Sequence, residues 1–332
     1  MPQRFFAADS FWNTPLTANP AIDPRSPDWI ALLATEPNGP FGVNLHQWTI
    51  PIYTVDATTP RRRIHRRIHR ESDIAARGSK WVGVGHRFGH GAAFAADAQG
   101  PGIPMPDRIE ADPEEDAHLA LVDWQQGVAW DMWGACRRAD GEWESNTGMK
   151  YPIAGPTATG LFHVADYPGV QNGESIHFYG PSRAAGVPAI AGTILFDEVR
   201  AGAIEHKLSC ATRFNALQEF VFPATWTDGQ NPGGIPEGAV IQLDPALDLE
   251  PFGLTPGAQV VARALQRYGA VNVDGAAGTA MYGEGLWAHP GQSWKGLLDP
   301  LDTQKIPMRH YRVLHATPTI KMGDIIRLGR GA

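Results

Sequence analysis

Cysteine is scarce in this chain, with only Cys136 and Cys210 among 332 residues. The two allow one disulfide at most, and they lack the close spacing of zinc-binding or redox cysteine pairs. Neither lies in a cysteine-protease signature. Stability must therefore come from packing, and 43% hydrophobic residues, including 13 Phe, 11 Trp and 7 Tyr, are enough for a large core.

Long apolar runs are also lacking. No stretch approaches the roughly 20 apolar residues that a membrane-spanning helix needs, so no membrane span is expected. Residues 1–7 contain no apolar segment of signal-peptide length. Two locations stay open: cytoplasmic, as the sequence is written, or extracellular, if a leader was replaced by Met1.

The chain has no excess of positive charge. Its formal net charge of -7 argues against general nucleic-acid binding, which needs a basic face. The segment 61–70, with the sequence RRRIHRRIHR, is a local exception. It is either a polyanion-binding strip or a solvated strand or loop whose Ile64 and Ile68 point inward.

Several common catalytic motifs are missing. There is no G-x-x-x-x-G-K-[ST] phosphate loop and no G-x-S-x-G nucleophile elbow, and the glycines at 83 and 85 lack the spacing of a dinucleotide fingerprint. These absences leave acid–base chemistry by histidines and carboxylates, or binding without catalysis.

Glycine and proline, by contrast, are abundant, with 37 and 28 copies. Such punctuation is typical of many short strands joined by turns. We therefore predict a mainly β fold, a β-sandwich or jelly-roll-like arrangement with a few short helices. No internal repeat is found, so we predict a single domain over residues 1–332, in which residues 1–60 form an irregular segment that wraps the β core.

Local patterns place the main elements. The clearest β-hairpin spans residues 117–136, around a turn at residues 125–127. Helices are predicted over residues 26–33, 196–206 and 255–269, and the last has a Thr cap, a Pro and a terminal Gly. Further strands are predicted over residues 47–55, 80–84, 161–164, 219–222, 239–243 and 309–315.

The predicted hairpin carries the first candidate site, formed by Asp116, His118, Asp123 and Asp131. A histidine flanked by carboxylates on paired strands can act as a general base whose ring one carboxylate orients. The structural alternative is that Asp116 caps a turn and His118 is a hydrogen-bonded surface or core residue.

A second candidate is the pair His86 and His90. On a strand, residues four apart lie on one face, so these imidazoles, together with His118 and carboxylates, can bind a transition metal. The Glu of the H-E-x-x-H pattern is absent. The alternatives are a polar cleft in which both histidines contact substrate, or plain surface. No cofactor is therefore expected, and a divalent metal remains an alternative.

Two more candidates lie in the second half of the chain. His206 is a possible base, although it also suits the C-terminal end of the predicted helix, where a cation complements the helix dipole. Asp228 lies in an Asp-Gly turn behind Trp226. Aromatic rings stack on sugar faces, and the rings considered for this role are Trp12, Trp130, Trp133, Trp226 and Tyr268.

Six segments in a fixed order carry a resemblance to a known family: residues 9–15 (DSFWNTP), 116–123 (DAHLALVD), 198–206, 223–229, 243–245 and 264–274. Together they resemble an uncharacterised family of mostly secreted actinobacterial and fungal proteins. These proteins look like carbohydrate-active proteins in their setting and their Trp-rich β character. The resemblance implies a polysaccharide or glycan partner by analogy, and it implies no particular reaction.

We therefore expect a carbohydrate-active enzyme, with a glycoside hydrolase placed ahead of a polysaccharide lyase. A hydrolase needs two carboxylates that flank the scissile bond. Asp116 and Asp228 are the predicted pair, with Asp123 or Asp131 as substitutes.

Three alternatives stay open. A lyase would need a base such as His118 or His206 and a tyrosine such as Tyr268. A metal-dependent hydrolase would use His86, His90 and His118. A non-catalytic glycan-binding or structural module would show exposed Trp residues on a flat face instead of a cleft.

Overall fold

The computed structural model describes residues 4–37, 39–67, 89–162 and 183–321. Within these ranges the fold is mainly β and β-sandwich-like, which confirms the predicted class. No helix among the described residues is long and apolar enough to cross a membrane. The described α-helices are α1 (Ser26–Leu33), α2 (Ala92–Gln99), α3 (Phe196–Ala201) and α4 (Pro256–Arg267).

A five-stranded sheet contains the predicted hairpin. Its two central strands are antiparallel, with Leu121 opposite Trp130, and Gly127 turns between them with a positive φ of 66°. The strand order is β10, β7, β6, β2 and β17, which are respectively Thr147–Pro152, Val128–Trp133, Leu119–Asp123, Ile50–Thr54 and Glu284–Gly285.

A six-stranded mixed sheet forms the second half of the sandwich. Its strand order is β1, β16, β11, β15, β14 and β18, which are respectively Gly42–Asn44, Ala280–Tyr282, Leu208–Thr212, Ala270–Gly275, Val240–Leu243 and Tyr311–Val313. Strands β11 and β15 are parallel, so their carboxyl ends meet at one edge of the sheet.

The two sheets share a core because side chains alternate along each strand. Ala120 and Val122 of β6 pack in the same cluster as Val271 and Val273 of β15. The opposite faces are covered by helices. Leu119 of β6 packs in a cluster with α2, while the far face of the six-stranded sheet packs against α1 and α4. Both faces of each sheet are therefore buried.

Three smaller sheets complete the described strands, one of which lies beside the six-stranded sheet. It consists of β13, β12 and β19, which are Ile235–Glu237, Asn215–Phe220 and Ile320–Lys321. The others pair β3 (Arg61–Arg62) with β5 (Ile103–Pro104), and β4 (Ile64–Arg66) with β9 (Trp143–Ser145) and β8 (Cys136–Arg137).

The described part of the cationic segment is close to the predicted solvated strand or loop with an inward-pointing Ile64. Ile64 is buried, while Arg62 pairs with Asp107 and Arg67 lies 3.6 Å from Glu144. These carboxylates offset the charge of two of the five arginines in the described part. Residues 68–70 of this segment lie outside the described residues.

Several predicted boundaries need correction. Helix α3 ends at Ala201 because Gly202 adopts a left-handed φ of 86°, so His206 lies beyond it. Residues 161–162 are not in a strand, and the remainder of that prediction and the strand predicted at 80–84 lie outside the described residues. Residues 1–60 are less irregular than predicted, since β1 and β2 belong to the two main sheets.

Candidate functional site

An open cavity of about 1480 Å³ lies at one end of the sandwich. Both sheets contribute to it. The six-stranded sheet supplies β1 and the residues that follow β11 and β15, and the five-stranded sheet supplies Asp116 and Trp133. The connection between β1 and β2, residues 44–48, forms a further wall.

Asp116 and Trp133 reach the cavity because they flank the hairpin strands. Asp116 lies shortly before β6, and Trp133 is the last residue of the antiparallel β7. The two residues therefore meet at the same edge of the sheet. The Trp133 indole Nε1 donates a hydrogen bond of 2.9 Å to Asp116 Oδ1, which orients the carboxylate.

Asp228 lines the same cavity from the loop between β12 and β13 of the smaller three-stranded sheet. Its turn packs tightly on β12, since a Cβ at Gly229 would lie 2.0 Å from the Ala216 carbonyl oxygen. The Asp228 carboxylate lies close to the end of β15, where a Cβ at Gly275 would lie 3.0 Å from Asp228 Oδ1. The cavity thus brings together the predicted pair, Asp116 and Asp228.

Two further carboxyl groups lie beside Asp228. Glu237, at the end of β13, is completely buried, and Asp274 lies near the end of β15. Burial and the neighbouring charges of Asp228 and Asp274 raise the pKa of Glu237 well above its usual value, and a hydrogen bond with Asp228 adds to the effect. Burial and the charges of Asp228 and Asp116 likewise raise the pKa of Asp274.

An amide network fixes this carboxyl cluster. Asn215 Nδ2 donates to Glu237 Oε1 at 2.8 Å and to the Asp274 carbonyl oxygen at 2.7 Å. Asn272 Nδ2 in turn donates to Asn215 Oδ1 at 2.9 Å. Because Asn215, Glu237 and Asn272 are all buried, the network holds the cluster rigidly.

A buried arginine supplies positive charge behind the cavity. Arg183 is 1% exposed, and its guanidinium carbon lies 3.6 Å from the centroid of the Tyr282 ring, which lines the cavity. The charge of Arg183 lowers the pKa of Asp274 and so opposes the effect of the neighbouring carboxylates.

Glu237 and Asp274 were not predicted as site residues. Asp274 carries a weak signal, since its Asp-Gly pair marks a turn at the end of a strand. Glu237 carries none, because nothing in its local sequence indicates that it lies behind an aspartate nine residues earlier. Only the pairing of β12 with β13 brings the two together.

His118 does not lie on the cavity, which corrects its predicted role as a base. It is 1% exposed, directly precedes β6 and is not among the residues that line the cavity. Burial and the charge of Arg183 lower the pKa of His118 to about 3, so the ring is neutral at physiological pH. No hydrogen-bond partner of either ring nitrogen is found among the described residues.

Asp123 and Asp131 also have structural positions, so neither is a substitute for the cavity pair. Asp123 is buried and caps the hairpin turn, where its Oδ1 accepts from the Gln125 and Gln126 amides at 2.9 Å. Asp131 is fully buried, and its Oδ2 accepts from Tyr151 Oη at 3.0 Å and from the Ala189 amide at 2.7 Å.

His206 lies in a separate recess with Glu198. The distance from His206 Nε2 to Glu198 Oε2 is 2.9 Å. Burial opposes protonation of the ring, but the Glu198 carboxylate outweighs it and raises the pKa of His206. The recess holds only about 10 Å³, close to the space of one water, so no sugar ring fits beside His206.

Four of the five rings predicted to stack on sugars are buried instead. The exposed fractions of Trp12, Trp130, Trp226 and Tyr268 are 1%, 1%, 4% and 3%. No ring face is therefore open to a ligand at these positions. Trp133 differs, since it is half-buried and lines the cavity.

Of the two histidines predicted to act as a pair, His86 lies outside the described residues. His90 is buried, with Nε2 2.9 Å from Ser145 Oγ, and burial lowers its pKa to about 4. His90 is therefore placed in the core rather than in a substrate cleft. Among the described residues, no group of three or more His, Cys, Asp or Glu side chains has an arrangement that could hold a metal ion.

Compared with known proteins, the chain matches no family model, no curated protein and no solved structure.

Proposed function

We propose that this protein is a glycoside hydrolase that cleaves a polysaccharide bound in the large cavity. The observation that carries this proposal is the carboxyl pair in which Asp228 faces the cavity and hydrogen-bonds to the fully buried Glu237. Asp116, which lines the same cavity, supplies the second carboxylate that glycoside hydrolysis requires.

The carboxyl pair can hold a proton at neutral pH. Two adjacent carboxyl groups cannot both ionise without strong repulsion, and burial of Glu237 adds a further penalty on its charged form. The pair therefore retains one proton between Asp228 and Glu237. Because Asp228 is the member that faces the cavity, it can deliver this proton to the leaving glycosidic oxygen.

Asp116 is suited to the complementary step. Its carboxylate is oriented by the Trp133 indole and faces the cavity, so it can act on the anomeric carbon directly or through a water molecule. Asp274 interacts electrostatically with both Asp116 and Asp228, and its raised pKa keeps additional negative charge out of the cluster. Arg183 balances part of the charge that develops there.

The test compares Asp228→Asn and Asp116→Asn with the wild-type protein on a panel of polysaccharides, by measuring the release of reducing ends. We expect each substitution to lower the rate about 100-fold or more, since each removes an acid–base or nucleophilic group. Asp197→Asn is the matched control. Asp197 is an exposed helix residue with 57% side-chain exposure, it does not line the cavity, and its substitution should leave the rate unchanged.

Three outcomes contradict the proposal. Full activity of Asp228→Asn removes the carboxyl pair from the chemistry. Binding of polysaccharide without release of reducing ends identifies a non-catalytic module. Products with unsaturated, ultraviolet-absorbing ends identify a lyase, which removes a proton instead of adding water.

A further inference from the structure

Trp48 is a cavity residue to which neither the sequence patterns nor the proposed chemistry assigns a role. It lies on the connection between β1 and β2, is half-buried, and lines the cavity together with Trp133. These are the two tryptophans among the described residues that line it. Trp48 thus lies on the cavity wall, where an aromatic ring can contact a sugar, as the four buried rings were predicted to do.

The backbone at Trp48 is strained. Its φ is 54°, in the left-handed region that bulky residues rarely adopt and that glycine adopts at little cost. Strain of this kind persists only where the surrounding structure enforces it, and it concentrates at binding sites. Glycine would adopt this φ without strain. The presence of a tryptophan at this position therefore needs another explanation.

A buried carboxylate enforces this conformation. Asp112, which is 2% exposed, accepts from the Trp48 amide at 3.2 Å and from the Thr49 amide at 2.8 Å. The Asp112 amide also donates to the His118 carbonyl oxygen at 3.0 Å. One residue therefore ties the Trp48 loop to the segment that carries Asp116.

Amide side chains line the cavity, and they are suited to hydrogen-bond to the hydroxyl groups of a sugar chain. Those outside the carboxyl network, to which Asn215 belongs, are Asn44, Gln47, Gln230, Asn231 and Gln304.

We propose that Trp48 is a sugar-stacking platform for the polysaccharide chain that the cavity binds. This inference deepens the proposed hydrolase and rests on it for the direction of the chain past Asp116 and Asp228. An indole face packs on the apolar face of a pyranose ring, and the amides then hydrogen-bond to its hydroxyl groups.

Binding is measured separately from turnover so that the two proposals can fail independently. Trp48→Ala, Trp48→Gly and Trp48→Phe are each combined with Asp228→Asn, which we expect to slow hydrolysis during the measurement. Calorimetry then gives the Kd for an uncharged glucan oligosaccharide. The matched control is Trp287→Ala, because Trp287 is 40% exposed and does not line the cavity.

We expect Trp48→Ala and Trp48→Gly to weaken binding of the uncharged chain about tenfold, the loss estimated for one aromatic contact. Trp48→Phe should retain most of the affinity, and Trp287→Ala should retain all of it. The Gly variant should unfold at a higher temperature than the Ala variant, because glycine relieves the left-handed strain. A purely structural role would instead make affinity follow stability.

Unchanged affinity in Trp48→Ala overturns the inference. Loss of affinity in Trp48→Ala together with an Asp228→Asn protein that still hydrolyses overturns the catalytic assignment and leaves the stacking platform standing.

Discussion

At the scale of single residues, His118 illustrates how burial decides chemistry. The two-residue period groups His118 with Ala120, but a period alone does not reveal that both faces of β6 are covered. The same imidazole on a solvated face would be a plausible base. Inside the sandwich it stays neutral, with a pKa lowered to about 3.

A pH-dependent stability follows from His118. Its pKa is about 6.5 in the unfolded chain and about 3 in the folded one, so the unfolded state binds the extra proton as the pH falls below 6.5. The contribution of His118 to stability is thus complete above pH 6.5 and is lost between pH 6.5 and about pH 3, at roughly 1.4 kcal/mol for each pKa unit.

His118→Leu should therefore flatten the acid side of the stability curve, measured as the free energy of unfolding in urea at a series of pH values. Reducing-end release at neutral pH should stay near the wild-type rate, because His118 does not line the cavity. A large loss of activity in a folded His118→Leu protein would restore His118 as a catalytic candidate.

Glu237 should change stability with pH in the opposite direction to His118. Its folded pKa is raised above the usual 4.5, so the folded state keeps a proton that the unfolded state loses, and stability falls as the pH rises through this window. Glu237→Gln removes that loss, while its amide oxygen can still accept from Asn215. We expect the variant to be at least as stable as the wild type at alkaline pH.

Glu237→Gln should also shift the pH dependence of the hydrolysis rate. A glutamine amide donates permanently to Asp228 and shares no proton with it, which favours ionisation of Asp228 at lower pH. The alkaline limb of the rate profile should therefore shift to lower pH. An unchanged profile would exclude Glu237 as the residue that keeps Asp228 protonated.

At the scale of secondary-structure elements, turns and helix caps could be predicted from the residues that form them. The hairpin turn and α4 were predicted because Gly127, Thr255 and Gly269 are the residues that such turns and caps require. Helix α3 was predicted too long, since the apolar pattern continues past Gly202 although the backbone turns there. Strand β1 was missed because three residues carry no period.

The cap of α4 provides a test at this scale. Thr255 Oγ1 accepts from the Ala258 amide, and both the Thr255 amide and its hydroxyl donate to the buried Asp302. Thr255→Ala should cost about 1–2 kcal/mol of unfolding free energy, because a cap and a hydrogen bond to a carboxylate are both lost. Thr255→Ser keeps the hydroxyl and should recover most of this loss in urea denaturation.

At the scale of the whole molecule, the carboxyl cluster could not be predicted from the sequence. Asp116, Asp228, Glu237 and Asp274 come from separate segments of the two main sheets and of the smaller β12–β13 sheet. Only the packing of these sheets brings Asp116 and Asp228 to one cavity, with Glu237 and Asp274 close enough for their charges to interact. Asp116 and Asp228 were predicted one by one, from a hairpin and a turn. Glu237 required the parallel pairing of β12 with β13, which is non-local.

Substitution of Asp112 tests how strongly this residue holds the connection between β1 and β2, which joins the two main sheets. Besides the Trp48 and Thr49 amides, it accepts from Thr49 Oγ1 at 2.6 Å and from the Glu114 amide at 3.0 Å. Asp112→Asn replaces one acceptor oxygen by a donor and leaves buried donors unpaired, so we expect a loss of about 2–5 kcal/mol of unfolding free energy. The exposed Asp107→Asn, measured by the same urea titration, should change stability little.

The contact between Gly275 and Asp228 has a practical consequence for trapping a bound chain. Gly275 has an ordinary φ, so alanine is compatible with its backbone, yet the new methyl group would lie 3.0 Å from Asp228 Oδ1 and displace that carboxylate by a few tenths of an ångström. We therefore expect Gly275→Ala to slow hydrolysis while it keeps every carboxyl group and its charge. Crystals of this variant, soaked with oligosaccharide, would then hold the substrate in its native electrostatic surroundings.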